Sequence, residues 1–254
     1  MKVRVGSLLV GCAVLAVVVG ERLRPLRPEQ EPHWRRDARN LAVAALAGVA
    51  VQTVERPLAN AAARWAERRG WGLRRVGGPV GAALAVLWLD YGLYAWHVLL
   101  HRETLWRLHR AHHSDLEVSA STALRLHFTE MALSAPWRAA QVATAGVSEA
   151  RLGLWRNLTL VGIVFHHSNL RLPLAVERAF SRVLVTPRMH GTHHSLVPDE
   201  VGSNWGTLLN VWDRLHGTLR LDRPQRADLG LPDKQDPRHV TLPRVLSMPL
   251  ERRA

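Results

Sequence analysis

Three short histidine patterns carry the most specific chemistry in this chain: His97-Val-Leu-Leu-His101, His109-Arg-Ala-His112-His113 and His190-Gly-Thr-His193-His194. On a helix, residues at i, i+3 and i+4 share a face, so each pattern aims two or three imidazoles the same way. With 14 histidines in 254 residues, chance supplies about 0.04 H-x-x-H-H patterns in such a chain. Two are present, both inside a longer R-x-H-x-x-H-H-S frame that begins at Arg107 and at Arg188. A solitary histidine on an apolar helix is ordinarily a satisfied core residue. Eight clustered ones leave many ring nitrogens to satisfy and repel one another on protonation, so bound cations are the physical expectation. Eight ligands exceed what one ion takes, which implies two ions, and an all-imidazole shell suits Zn, Cu, Fe or Ni rather than Mg or Ca. Cys12 is the single cysteine, which excludes a disulfide framework, a CxxC zinc site and a redox dithiol.

A metal-bound imidazole generally donates its second N–H to a carboxylate or carbonyl. Asp90, Asp115, Glu130 and Asp213 lie near the clusters in sequence and are candidates for that role, with a surface ion pair the competing reading for each except Asp90. That residue stands inside an apolar run, where a carboxylate needs a partner. His127, in Arg125-Leu-His127-Phe-Thr-Glu130, and the segment His166-His167-Ser-Asn169 add further candidate ligands or partners. His33, His216 and His239 lack company and read as surface or packing residues.

The elements that must position these groups follow from the apolar runs. A composition of 47% hydrophobic and 22% charged residues excludes intrinsic disorder. The net charge of +13, with 32 of the 34 basic residues Arg, and the mean hydropathy of −0.07 would by themselves suit a soluble nucleic-acid binder. Their distribution does not, because uncharged runs alternate with Arg-rich stretches.

Val5 to Gly20 is uncharged but somewhat short of the roughly 20 residues that a spanning helix needs. A cleaved signal peptide competes, as does a lipoprotein box at Leu9-Val10-Gly11-Cys12; a retained membrane helix is the preferred reading. Leu41 to Val54 meets Arg56-Pro57 and reads as a shallow or interrupted helix. Val76 to Leu100 is the clearest span, charged only at Asp90. Met131 to Phe165, broken by Arg138, Glu149, Arg151 and Arg156, reads as a helical hairpin dipping into the membrane and leading a lipid chain to the metals. Beyond Leu221, Pro224, Pro232, Pro237, Pro243 and Pro249 suggest a peripheral tail.

The expected fold is therefore all-α: an integral membrane helical bundle with a cytoplasmic cap that carries a histidine-rich di-metal site. Its expected parts are N-terminal membrane helices and Arg-rich loops over 1–75, the histidine-bearing domain over 76–220, and the tail over 221–254. Six Arg between residues 21 and 40 put that loop, and the histidine region two crossings later, in the cytoplasm. The basic stretch from Arg64 to Arg75 runs against that rule on the same arrangement.

The flanks of the clusters extend the pattern. Asp90-Tyr91, Trp96-His97, His101 and Leu105-Trp106-Arg107-Leu108-His109-Arg110-Ala111-His112-His113-Ser114-Asp115 resemble the first half of the membrane-bound fatty acid hydroxylase and sterol desaturase superfamily. Arg125-Leu-His127 is similar to its R-x-H-P-x-E element, with Phe128 in place of the usual Pro. Phe165-His166-His167-Ser168-Asn169 resembles its F-x-H-S-N segment, which makes His167 the matching histidine and His166 the extra one. Arg188 to Ser195, Asn204-Trp205-Gly206 and Trp212-Asp213-Arg214-Leu215-His216-Gly217-Thr218 resemble the terminal half, with His216 where Phe is common.

The resemblance spans about residues 80 to 220. It implies a non-haem di-iron centre that uses O2 to hydroxylate or desaturate an unactivated C–H bond of a lipid, either a fatty acyl chain or a sterol- or isoprenoid-like molecule. Zinc is the expected substitute in purified material. The implied ligands are His97, His101, His109, His112, His113, His167, His190, His193 and His194. His127, Asp90, Asp115, Asn169 and Asp213 are further ligands or partners of ligands. No haem segment, flavin fingerprint or Cys-rich iron–sulfur motif is visible, so electrons are expected from an external ferredoxin, cytochrome or reductase. The membrane is expected to be a bacterial inner membrane, and nucleic acid is not an expected partner. The competing classes are a metal-dependent hydrolase at the same histidines and a non-catalytic, basic lipid-binding membrane protein.

Overall fold

Long apolar runs fold as helices because only a helix or a closed barrel satisfies every backbone polar group without water. The computed structural model describes residues 2–221, 225 and 228–251, with residues 2–5 by backbone alone; Pro224 of the tail lies outside the described residues. Among these residues no strand forms, and the only β-type pairings are three isolated bridges.

Five long helical rods build the bundle. Helix α1 covers Lys2–Leu23; α2, His33–Ala50, runs through a π-helical turn at Val51–Glu55 into α3, Arg56–Arg69. Next come α4 (Gly78–Leu100), α6 (Phe128–Ala145) and α7 (Glu149–His167), with α5 (Glu103–His113) between α4 and α6. Three rods are long and apolar enough to cross a membrane: Gly6–Leu23, His33–Arg69 and Gly78–Leu100. The second was expected to be shallow or interrupted. It is instead continuous, because the π turn absorbs the proline: Arg56 donates its N–H to the Val51 carbonyl, five residues back, just ahead of Pro57.

The rods share two ends. At one end Arg64 pairs with Glu149 at 2.8 Å, the Arg74 amide donates to the Gly146 carbonyl at 3.0 Å, and Arg151 donates to the Leu73 carbonyl. At the other lie the α1–α2 loop, the C-termini of α4 and α7, the whole of α5, and the described residues after His167. The Glu21 carboxylate ties that end together by accepting the amides of Ala120 and Asn169 at 2.9 and 2.8 Å. Loop 21–40 and the histidines thus sit on one side, as the crossing count predicts.

Ala59, Ala63, Ala85, Leu89, Val142 and Trp155 pack α3, α4, α6 and α7 together, small residues allowing close helix approach. At Gly92 of α4 a Cβ would fall 1.1 Å from Gln141 of α6, so only glycine admits that side chain. The cap holds four short helices after α7: α8 (Leu174–Phe180), α9 (Pro187–His193), α10 (Pro198–Val201) and α11 (Val211–His216); α12 (Leu242–Ser247) follows in the tail. That tail is not peripheral. Val245 and Met248 pack with Val43 of α2 and Ala111 of α5, and Arg110 donates to the carbonyls of Met248 and Glu251. Pro237, Pro243 and Pro249 stand in the first turns of its short helices, while Leu229, Leu231, Val240, Val245 and Met248 face inward.

Candidate metal centre

Three chain segments converge on the centre. The helix break at His101–Arg102 separates α4 from α5, so His97 and His101 meet the α5 histidines across a corner rather than along one rod. Helix α9 opens with Pro187 at its first turn, the position at which a missing N–H costs least. From the opposite side α7 contributes His167 at its last residue.

The imidazoles sort into two fours, His97, His101, His113 and His193, and His112, His167, His190 and His194, while His109 forms a third group with His112 and His113. Candidate ligand atoms within each group lie within 4.8 Å of one another. Together the groups contain the nine histidines singled out by sequence. Adjacent histidines part company: His112 and His113 join different fours, as do His193 and His194. Consecutive helix positions differ by about 100° in direction, so each H-x-x-H-H serves both groups instead of aiming at one.

The second ring nitrogens reveal which nitrogens are free to ligate. His97 Nδ1 lies 2.9 Å from the Trp205 carbonyl and His193 Nδ1 2.8 Å from the Ser203 carbonyl. A carbonyl only accepts, so both Nδ1 atoms carry the proton and both neutral rings present a bare Nε2. Those two Nε2 atoms face each other at 3.1 Å. No proton lies between them, and two lone pairs at that distance repel unless a cation lies between. In the other four, Nε2 atoms approach at 3.0 Å (His167 to His112), 2.9 Å (His190 to His167) and 3.1 Å (His194 to His190). Nitrogens bound at about 2.1 Å and at right angles around one ion would lie about 3.0 Å apart. His101, His109 and His113 each bury an Nε2 without a hydrogen-bond partner. The donor set therefore fits two metal ions. Burial holds His112, His113, His190 and His194 well below the ordinary imidazole range, and His193 at about 3. The neutral form, which binds metals, is the one the fold favours.

Among the expected partners, Glu130 accepts from His109 Nδ1 at 3.1 Å. Asp213 acts one step removed: it accepts the amides of Trp205 and Gly206, both at 2.8 Å, and so fixes the carbonyl that His97 uses. The other four expectations are corrected, since among the described residues none touches the histidine groups. Asp90 accepts from the Leu208 and Leu209 amides and the Trp212 indole. Asp115 accepts from Asn40 and Thr122. Asn169 exchanges hydrogen bonds with the Arg27 backbone. His127 caps α6, its Nδ1 engaged by Thr129 and its Nε2 by the Leu246 carbonyl, which leaves no nitrogen for a metal. Each is a group whose burial required a partner, and a backbone or amide supplied it.

His166, a further candidate in the sequence and the extra histidine beside His167, is buried with its ring 4.1 Å from that of His190. Trp205 was noted only as part of a motif, yet its ring lies 4.4 Å from His101 and 4.9 Å from His193. A cavity of about 930 Å³ reaches His101 and His113 and is walled chiefly by Tyr91, Tyr94, Val98, Trp106, Trp205 and His216. No described residue of α6 or α7 lines it; the cavity lies beside α4, away from the hairpin along which a route was expected.

Fold and site thus define an all-helical protein with membrane-length helices and a buried polyhistidine centre whose donor atoms could hold metal ions. The family model for fatty acid hydroxylases matches residues 82–218, more than half of the chain, and the chain belongs to that family, within the fatty acid hydroxylase and sterol desaturase superfamily. It is 30% identical over 161 residues to ornithine lipid hydroxylase OlsE of Rhizobium tropici, covering 59% of this chain and 45% of that protein. It is 28% identical over 137 residues to alkylglycerol monooxygenase of Xenopus tropicalis, covering 54% of this chain and 30% of that protein. The matches therefore span less than half the length of these curated relatives. No solved structure matches the chain.

Proposed function

We propose that this protein is a non-haem di-iron membrane oxygenase that hydroxylates an unactivated C–H bond of a lipid. The opposed Nε2 atoms of His97 and His193 carry this reading, because a metal ion between them relieves that contact while both rings stay neutral. One iron is assigned to His97, His101, His113 and His193, the second to His112, His167, His190 and His194, with His109 between them. Breaking an alkyl C–H bond needs an oxidant stronger than any side chain, and bound iron supplies it by activating O2.

The chain's own residues do the rest. Trp205, Ser203 and Glu130 hold the imidazoles in one tautomer and one orientation. The indoles of Trp106 and Trp205 close the apolar cavity over His101 and His113, so that a hydrocarbon segment displaces water there. Membrane lipid as substrate is supported by that lining, by the three membrane-length helices and by relatives that carry the names lipid hydroxylase and alkylglycerol monooxygenase. Hydroxylation rather than desaturation follows the same names. Electrons come from an external ferredoxin, cytochrome or reductase. The histidine end faces the cytoplasm of a bacterial inner membrane, on the charge of loop 21–40. Residues 76–220 carry the site, and 1–75 and 221–254 hold it.

The test is metal analysis of purified protein, O2 uptake with iron and reductant, and lipid mass spectrometry of cells expressing the protein or its His193→Ala variant. Iron-dependent O2 uptake and a lipid product gaining one oxygen, both lost in the variant, are expected. Zinc alone with no O2 consumption under iron and reductant would instead mark a hydrolase.

A further inference from the structure

The cap presents one surface that the proposed reaction does not use. Segment 180–184 and α11 lie side by side: the Asn210 amide donates to the Val183 carbonyl at 2.9 Å, its side chain donates to the carbonyls of Ser181 and Leu184, and Arg214 reaches the Ser181 carbonyl. The two strips expose Phe180 at 41%, Val183 at 56%, Val211 at 40% and Leu215 at 69%. Arg178, Arg182 and Arg214 are exposed around them, while the acids of the same segments, Glu177 and Asp213, are buried. The result is an apolar patch rimmed by positive charge alone.

Its depth follows from α4. Asp90 receives the amides of Leu208 and Leu209 and the Trp212 indole, so the start of α11 is pinned to the middle of that helix, and Tyr91 packs on Trp212 at 4.9 Å. From Gly78 to Asp90, α4 rises only about 18 Å. A hydrocarbon layer is about 30 Å thick, and Arg151 and the Arg64–Glu149 pair mark the far surface of the bundle close to Gly78. Tilt would shorten the available rise further. The patch therefore reaches into the membrane on this side instead of standing clear of it.

We propose that the surface formed by Phe180, Val183, Val211 and Leu215 inserts into the leaflet on the histidine side, with Arg178, Arg182 and Arg214 contacting anionic lipid headgroups. An amphipathic element with an apolar face and a basic rim is the form that lies in a membrane interface, and this one is pinned against the middle of a membrane-length helix. The cavity walls Tyr91 and His216 border the same patch, so a lipid chain enters the cavity from that leaflet.

The experiment uses the full chain with Cys12→Ser, an exposed position, and a single new cysteine at Leu215 or Val183 carrying an NBD fluorophore. A control label replaces Asp233 of the tail, whose side chain is 71% exposed. The proteins are reconstituted into phosphatidylcholine vesicles with or without phosphatidylglycerol. The two patch labels should emit to the blue of the control, resist aqueous iodide several-fold better and be quenched by nitroxide lipids. Phosphatidylglycerol should increase the protection, and Arg178→Glu with Arg182→Glu should abolish that increase. Iodide quenching of both patch labels as fast as the control overturns the insertion. Protection indifferent to lipid charge and to the Arg substitutions overturns the headgroup contact. Protection that appears only when a soluble acidic protein is added assigns the surface to a protein partner and overturns both.

Discussion

His97 and His193 confront each other through nitrogens that both lack a proton, and the carbonyls of Trp205 and Ser203 enforce that state. Orientation at this scale is set by the group behind each ring. Glu130 is such a group for His109, so Glu130→Gln should weaken metal retention by about 10- to 100-fold, read by iron content after chelator titration, with the helical content unchanged. Protonation acts through the same rings. Burial holds His193 at about 3 and its neighbours well below the ordinary value of 6.5, so the folded chain binds fewer protons than the unfolded one between those limits. Stability of the metal-free protein is then complete above about pH 6.5 and falls as the pH drops below it; unfolding midpoints of chelator-treated protein between pH 8 and pH 5 check the direction. Which histidines gather was legible in the sequence, since residue type and i, i+3, i+4 spacing are local properties. The roles of Asp90, Asp115, Asn169 and His127 were not, because a buried polar group only requires some partner, and many backbone amides compete with imidazole for the place.

Helix α5 shows how elements fix the centre. Its C-terminal turn is held on three sides: Arg125 donates to the Ala111 carbonyl, to Ser114 and to Asn40 of α2; Asp115 accepts from Asn40 and Thr122; and Met248 packs against Ala111. Two of those anchors, Asn40 and Met248, lie outside the segment that matches the family model. Met248→Ala should therefore cost about 2–3 kcal/mol, measured as a lower denaturation midpoint, and should reduce metal occupancy by loosening α5 although Met248 touches no histidine. The tail was misread as peripheral because proline and charge dominate its composition, while inward packing depends on a handful of apolar positions. The α2–α3 rod was misread as interrupted because Arg56-Pro57 is a breaker by local rules, and a π turn that keeps the rod continuous is decided by packing against α6 and α7.

At the scale of the molecule, helix ends at one pole gather the histidines, and the cavity beside α4 connects them to the outer face. Ala95 lines that cavity without touching the described imidazole groups. Ala95→Trp should fill it and lower kcat/KM on the order of tenfold or more, with iron content and tautomer-dependent spectra of the centre retained; loss of iron in that variant would place the cavity wall in the metal site instead. The hairpin of α6 and α7 was expected to form this route, since its apolar length suggested access from the bilayer. Its Trp137, Arg138 and Gln141 turn toward α4 and close the seam there.

By itself the sequence determined the helices, the nine clustered histidines and the family they resemble, because hydrophobic period, ligand type and ligand spacing are written over a few turns of chain. Tertiary structure alone decided how those histidines divide. The 100° step between neighbours sends His112 and His113, and His193 and His194, to opposite groups, and which ring meets which depends on the corner at His101 and the entry of α7 and α9. It also decided which carboxylates serve the imidazoles and where the cavity opens, since both depend on contacts between separate elements, such as Glu130 with His109 and His97 with Trp205.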